Sequence, residues 1–257
     1  MNYQYSLESI QSLGDSVWRK SETSTPNFGY TDSSYWFRVS LKSPDKSLDK
    51  LVAIQYSLLD HIEVYFLENG KVKQTYLTGD VFPFLHRPIK HRDFLFPIIF
   101  EANQTLDLYI KVKTEGSLQV PLEIWERELF TWKDQDEQFI KAIYYGMLLV
   151  LVIYNLFLFL SIRERSYLYY GGLVVSVLIL MAGAHGFTYQ YLYPSYPYIH
   201  KQVMLIAVPS VMLFAGLFAG CFLSLSIVAP RLIKVVYFFN VVFFVSILAS
   251  FFLPYDI

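Results

Sequence analysis

Residues 154–175 read YNLFLFLSIRERSYLYYGGLVV: two apolar, aromatic runs with Arg163, Glu164 and Arg165 between them. Charges are costly in hydrocarbon. The stretch is therefore read as the end of one membrane helix, a short charged loop and the start of the next. Outward from it, four apolar runs follow Gln138, near 139–160, 167–187, 202–224 and 235–253. Each has about the 20 residues that a helix needs to cross a bilayer. In lipid every backbone N–H and C=O must bond internally, which makes helices the expected form. Four successive runs nearly free of charge argue against the buried core of a soluble protein.

The same charges set an orientation. The loop SIRERS carries Arg163 and Arg165, and SLSIVAPRLIK carries Arg231 and Lys234. The loop between them, TYQYLYPSYPYIHK, has one lysine at its end and many tyrosines. Short loops rich in Lys and Arg stay in the cytoplasm. Loops one and three are thus expected inside and loop two outside. Residues 1–137 then lie outside, which in a bacterium with two membranes is the periplasm. The expected place is the inner membrane, with the lipid bilayer as partner. Tyr189, Tyr191, Tyr193, Tyr196 and Tyr198 fit an aromatic belt at the interface. His185 in MAGAHGF reads either as a proton-responsive group or as a histidine at the water interface. Gly183, Gly186, Gly216 and Gly220 allow close helix contact, and GLFAG at 216–220 is a small-xxx-small step. The ionisable groups of note in these spans are His185 and, at an end, Lys141. No proton wire, gating-charge row or acid cluster stands out, which speaks against a pump or channel.

The chain has 257 residues and a net charge of −1, which hides a split. Residues 1–137 hold fifteen Lys/Arg and twenty Asp/Glu; residues 138–257 hold six and two. The first part reads as a water-soluble domain and the second as lipid-embedded. The single cysteine, Cys221, lies in an apolar run, so no intrachain disulfide or thiolate zinc site is available, and it reads as a buried thiol. No basic stripe points to nucleic acid. The opening MNYQYSLESIQSLGDS has no basic segment followed by an apolar one, and is not read as a signal peptide.

In the first part, short stretches alternate at period two. YWFRVSL puts Tyr35, Phe37, Val39 and Leu41 on one face; HIEVYFL does so for Ile62, Val64 and Phe66. TLDLYIKVK points Leu106, Leu108, Ile110 and Val112 inward, and VPLEIWE points Val120, Leu122 and Ile124 inward. Such alternation marks half-buried strands, and turn signals such as ENGK at 68–71 and TGD at 78–80 separate them. The expected fold is an all-β jelly-roll sandwich over 1–131, a short linker at 132–138, and a membrane domain of about four helices over 139–257. The linker lacks a Gly/Pro/Ser-rich spacer, so a stiff joint is expected.

The most polar cluster is FLHRPIKHRDFLFP, 84–97, with His86, Arg87, Lys90, His91, Arg92 and Asp93. Two histidines and an acid have the chemistry of metal ligands, but the arginines beside them repel a cation, and no metal is assigned. The remaining readings are a loop docked on the protein's own core and a ligand site in which Arg offers bidentate donors. Asp60 and His61 open a strand, as a turn cap or as site residues. Trp36 and Arg38 share one strand face, where the indole either stacks on a sugar or packs in the protein. No phosphate loop, nucleophile elbow or zincin helix occurs, and no catalytic residue or cofactor is assigned.

FGYTDSSYWFRVSL, YSLLDHIEVYF, TGDVFPFLHRPIKHRDFLFPI and TEGSLQVPLEIW together resemble the type-2 extracellular domain of the 7TMR-DISM receptors. These are bacterial seven-transmembrane receptors with diverse intracellular signalling modules. YYGMLLVLVIYNLFLFLSIRERSYLYY followed by GFTYQYLYP looks like the start of the family's membrane region. The resemblance covers roughly 14–253. It implies a sensor domain similar to carbohydrate-binding modules, seven helices, and an output such as a GGDEF diguanylate cyclase or histidine kinase. Four runs instead of seven, no output and no signal peptide lead to the expectation of a fragment or truncated gene. The expected function is the sensory half of a receptor, binding a periplasmic small molecule or carbohydrate, able to form a homodimer, with any enzyme activity outside this chain. The ligand residues expected first are Arg87, His91, Arg92 and Asp93, then Asp60 and His61, with Trp36 and Arg38. The rival readings are a membrane-tethered carbohydrate-binding or adhesion module without signalling, and a transporter subunit.

Overall fold

The computed structural model describes residues 5–252, which divide into two compact units between Trp132 and Lys133. The MNYQ opening, the LPYDI exit and the end of the fourth apolar run at 253 lie outside the described residues.

Among the described residues the first unit holds nine strands: β1 (Asn27–Tyr30), β2 (Tyr35–Lys42), β3 (Leu48–Ile54), β4 (His61–Glu68), β5 (Lys71–Thr78), β6 (Phe94–Phe100), β7 (Thr105–Lys113), β8 (Ser117–Gln119) and β9 (Leu122–Glu126). One antiparallel sheet has the order β2-β7-β4-β5, a second β6-β3-β9, and β1 pairs with β8. Pro121 has no N–H to give a ladder and separates β8 from β9. Taken as one bent strand, β8 and β9 give the order β1-(β8/β9)-β3-β6 facing β2-β7-β4-β5, which is the jelly-roll arrangement of the expected sandwich. The turn at ENGK is two residues long. Asn69 (φ 50°) and Gly70 (φ 77°) are both left-handed, as a tight β4–β5 hairpin requires.

The alternating residues meet between the sheets. Ile62, Val64, Phe66, Leu106, Leu108, Ile110 and Val112 are fully buried against Val52, Ile54, Phe94 and Phe96. Tyr35, Phe37, Val39 and Leu41 join the same core, as do Val120 and Leu122. Each fully buried aliphatic or aromatic side chain is worth about 1.5–3 kcal/mol, so this layer supplies most of the driving force. Ile124 departs from the expectation in burial: it shares the face of Leu122 but is 44% exposed, because it lies on the edge strand β9 and lines an open cavity with Val120 and Leu122.

The outer sheet faces are covered too. A short helix, α1 (Leu7–Gln11), brings Ile10 onto Leu67 and Tyr109, with Trp18, Trp36 and Tyr65 around them. On the other sheet, Leu51, Ala53 and Leu95 pack with Phe130, Ile89 and Trp125. Phe130 belongs to the first turn of α2 (Arg127–Ile162), where Arg127 also bonds Asp49 at 2.9 Å.

In the second unit come α3 (Arg165–Ala184), the short α4 (Phe187–Tyr191), α5 (Pro197–Phe222), the short α6 (Leu225–Val228) and α7 (Pro230–Ser250). The helices α2, α3, α5 and α7 are long and apolar enough to cross a membrane. All four begin earlier than hydropathy alone indicated, by two residues for α3, by five for α5 and α7 and by twelve for α2. Residues 132–138, read as a linker, are therefore helical; the polar turns carry Lys133–Glu137 and Glu137–Lys141 pairs at i,i+4, which suit a helix outside lipid. The three charges of the opening stretch form the break between α2 and α3. Arg163 takes a left-handed φ of 64°, Glu164 stands at the N-cap position of α3 and receives a 2.8 Å bond from the Ser166 hydroxyl, and Arg165 starts the helix.

Glycines set the helix contacts. A Cβ on Gly172 would meet the Phe214 ring at 2.5 Å, and one on Gly183 would meet Met204 Sδ at 2.5 Å, so both mark the α3–α5 contact. Gly216 and Gly220 of the GLFAG step face Asn240 and Ile233 of α7, as a small-xxx-small contact does. Cys221 is free and half-buried rather than fully buried.

Candidate functional site

The strand β2 pairs with β7 on one side only, so half of its backbone donors and acceptors face away from the sheet. The segment 10–28 arches over that edge. Two adjoining cavities of about 680 and 650 Å³ lie beneath it and share Trp18, Arg19, Lys20, Trp36 and Phe37, forming one cleft. The size suits a small-molecule ligand.

The cleft is aromatic and basic. Phe28 rests on Tyr35 at 4.1 Å between ring centroids. Trp36 is half-buried, lies nearly parallel to Tyr65 at 6.1 Å, and has Lys111 Nζ 5.8 Å from its ring. Arg38 donates to Asp15 at 2.7 Å, and its guanidinium lies 6.0 Å from Trp18 and 5.8 Å from Tyr109. The Asp15 bond raises the Arg38 pKa above its ordinary value, against the opposing effect of burial. Burial and the hydrogen bond to Glu63 push the Tyr65 hydroxyl up to about 12, and burial raises Tyr109 as well. Both phenols stay neutral at physiological pH.

The residues singled out from sequence fall in three places. Trp36 and Arg38 line the cleft. His61 lines a smaller polar recess of about 190 Å³ with Ser34, Glu63, Lys111 and Lys113, and its ring edge meets Phe82 at 5.3 Å. Asp60 is buried and accepts bonds from the Thr114 hydroxyl at 2.8 Å and the Glu115 N–H at 2.7 Å, tying the β7–β8 turn to the start of β4.

Arg87, His91, Arg92 and Asp93 sit in the β5–β6 connection. Arg87 is 4% exposed and Arg92 2%. The Arg87 guanidinium donates to the carbonyls of His91, at 2.9 Å, and Arg92, and lies 4.2 Å from the Phe94 ring. His91 Nδ1 accepts from the Asp93 N–H at 3.0 Å, and its ring packs edge-on against Phe130 at 5.4 Å. These contacts fold the segment against Phe130 in the first turn of α2.

Sequence reasoning passed over Trp18, Arg19 and Lys20, which lie in irregular chain with no period to draw attention. The signal available was an indole followed by two cations in a stretch with neither helix nor strand pattern. In the membrane unit it missed His200. Placed in a loop by hydropathy, His200 lies in the first turn of α5, is 1% exposed and stacks on Tyr189 at 4.8 Å. Tyr189 and Tyr193 are buried with it and are not part of an interfacial belt; the Tyr193 ring lies 6.3 Å from that of Tyr189 and 6.1 Å from that of His200. Tyr191, Tyr196 and Tyr198 are exposed. His185 Nδ1 and the Tyr145 hydroxyl are hydrogen-bonded at 2.7 Å.

An antiparallel sandwich with a ligand-sized cleft, followed by membrane-capable helices, is the architecture of a membrane protein with a folded N-terminal domain. Residues 1–126 match the family model described as 7TMR-DISM extracellular 2, and residues 137–257 match that of 7TM diverse intracellular signalling. The chain belongs to the 7TMR-DISM receptor family. The comparison with curated proteins returned no match.

Proposed function

We propose that the sandwich is the sensor of a bacterial inner-membrane receptor. It binds a carbohydrate or related small molecule from the periplasm in the β2 cleft. The membrane helices pass the event to a cytoplasmic output such as a diguanylate cyclase or histidine kinase. The observation that carries this reading is α2. Its first turn is built into the sandwich through Phe130 and the Arg127–Asp49 pair, and the same helix supplies the first membrane-capable segment. Indole faces in the cleft support a sugar, whose C–H faces stack on aromatic rings. A ligand acts on such a system by favouring one of two conformations. The test is a thermal-shift screen of the full chain in nanodiscs against a panel of sugars. The expected result is a raised midpoint with one sugar class, lost in Trp36→Ala. No shift with any sugar contradicts the carbohydrate assignment. Binding that leaves the membrane helices unchanged favours a tethered adhesion module instead.

A further inference from the structure

We infer that the β2 cleft selects a carboxylate-bearing saccharide over a neutral one, and that Asp15 holds the place of the ligand's carboxylate. The inference rests on the sensor reading and specifies its ligand. Arg19, Lys20 and Arg38 line the cleft, against one carboxylate, Asp15. That carboxylate is seated on Arg38, with Nη1 to Oδ1 at 2.7 Å. Packing does not hold it there: the Asp15 side chain is 91% exposed, whereas that of Arg38 is 32% exposed.

An ion pair this open to water is weak and readily exchanged. The Arg38 fork lies near the Trp18 and Tyr109 rings, which restrict the directions from which an anion approaches. A sugar ring stacked on Trp18 or Trp36 would present a ring carboxylate to Arg38, displacing Asp15. The exposed Arg19 and Lys20 add attraction. Asp15 lies in the one-turn helix Asp15–Val17 of the arm, so exchange at Arg38 removes this turn's ion pair with the sheet, while Ile10 and Trp18 keep the arm packed on Tyr109. Ligand charge is thereby linked to the local position of the Asp15 turn.

The test is calorimetric titration of the full chain in nanodiscs with trigalacturonate and with its neutral counterpart galactotriose. Trigalacturonate is expected to bind at least about tenfold more tightly, and added salt to weaken it. Asp15→Asn removes the competing carboxylate and is expected to tighten trigalacturonate about threefold or more, with no change for galactotriose. Arg38→Gln is expected to weaken trigalacturonate about tenfold or more; Arg38→Lys, which keeps the charge without the fork, falls between. Equal binding of the two trisaccharides, or an Asp15→Asn variant that binds trigalacturonate no better, overturns the inference. Galactotriose binding as tight as that of trigalacturonate and lost in Trp36→Ala overturns it while leaving the sensor reading in place. Failure of both trisaccharides to bind overturns the inference together with the carbohydrate reading of the cleft.

Discussion

Gly79 lies at φ +148°, and a Cβ there would stand 1.8 Å from the Asp60 carbonyl oxygen. Both the backbone angle and the contact demand glycine. Gly79→Ala is expected to destabilise the sandwich by more than about 2 kcal/mol, read as a lowered midpoint in denaturant titration. Tyr65 has an alkaline counterpart. Its folded pKa is raised to about 12 by burial and by Glu63, above the ordinary value of about 10. The unfolded chain therefore releases this proton first, so the stability from the neutral phenol is intact below about pH 10 and is lost as pH rises toward 12. Melting points measured from pH 9 to 11.5 are expected to fall less steeply in Tyr65→Phe than in the parent chain; identical slopes contradict the assignment. At this scale the sequence was a partial guide. It flagged Trp36 and Arg38 because alternation fixes which strand face a residue takes. It could not tell that Arg87 turns inward onto two carbonyls, because the polarity of a side chain says nothing about which backbone groups will need it.

Among the elements, α2 carries the most weight. Phe130 is 5% exposed within the cluster of Leu51, Ala53 and Leu95. Phe130→Ala is expected to cost about 3–5 kcal/mol through lost burial and the cavity left behind, seen as early unfolding of the sandwich with the membrane helicity retained in circular dichroism. In the membrane unit, Gly172→Leu forces the Phe214 ring aside and is expected to lower the thermal midpoint of the second unit by several degrees in detergent, whereas Gly146→Leu, whose Cβ site is open, leaves it unchanged. Period-two alternation revealed the main strands, since β2, β4 and β7 bury one face each. Hydropathy found the four apolar helices but cut α2 short. Its first twelve residues are held helical by i,i+4 ion pairs and by Phe130 docking, and neither leaves an apolar run. His200 and its tyrosine neighbours were missed for the opposite reason: a proline- and tyrosine-rich stretch reads as a loop, yet Pro197 stands at the first turn of α5, where proline is tolerated.

For the whole molecule, the division of charge between residues 1–137 and 138–257 already separates what lives in water from what lives in lipid. The cleft was not legible at that level. It forms where an irregular arm crosses a sheet edge, a long-range event without a local pattern. The account's central claim is that occupancy of this cleft reaches the membrane helices, and Cys221, the single cysteine, lies in α5 and takes a spin label without further engineering. The most direct measurement is the electron paramagnetic resonance spectrum of spin-labelled Cys221 in nanodiscs during titration with trigalacturonate. The account predicts a saturable change in label mobility with the midpoint of binding, that midpoint raised about tenfold or more by Arg38→Gln and the change abolished by a Gly-Gly insertion after Trp132. Calorimetrically saturated binding with an unchanged Cys221 spectrum would contradict it.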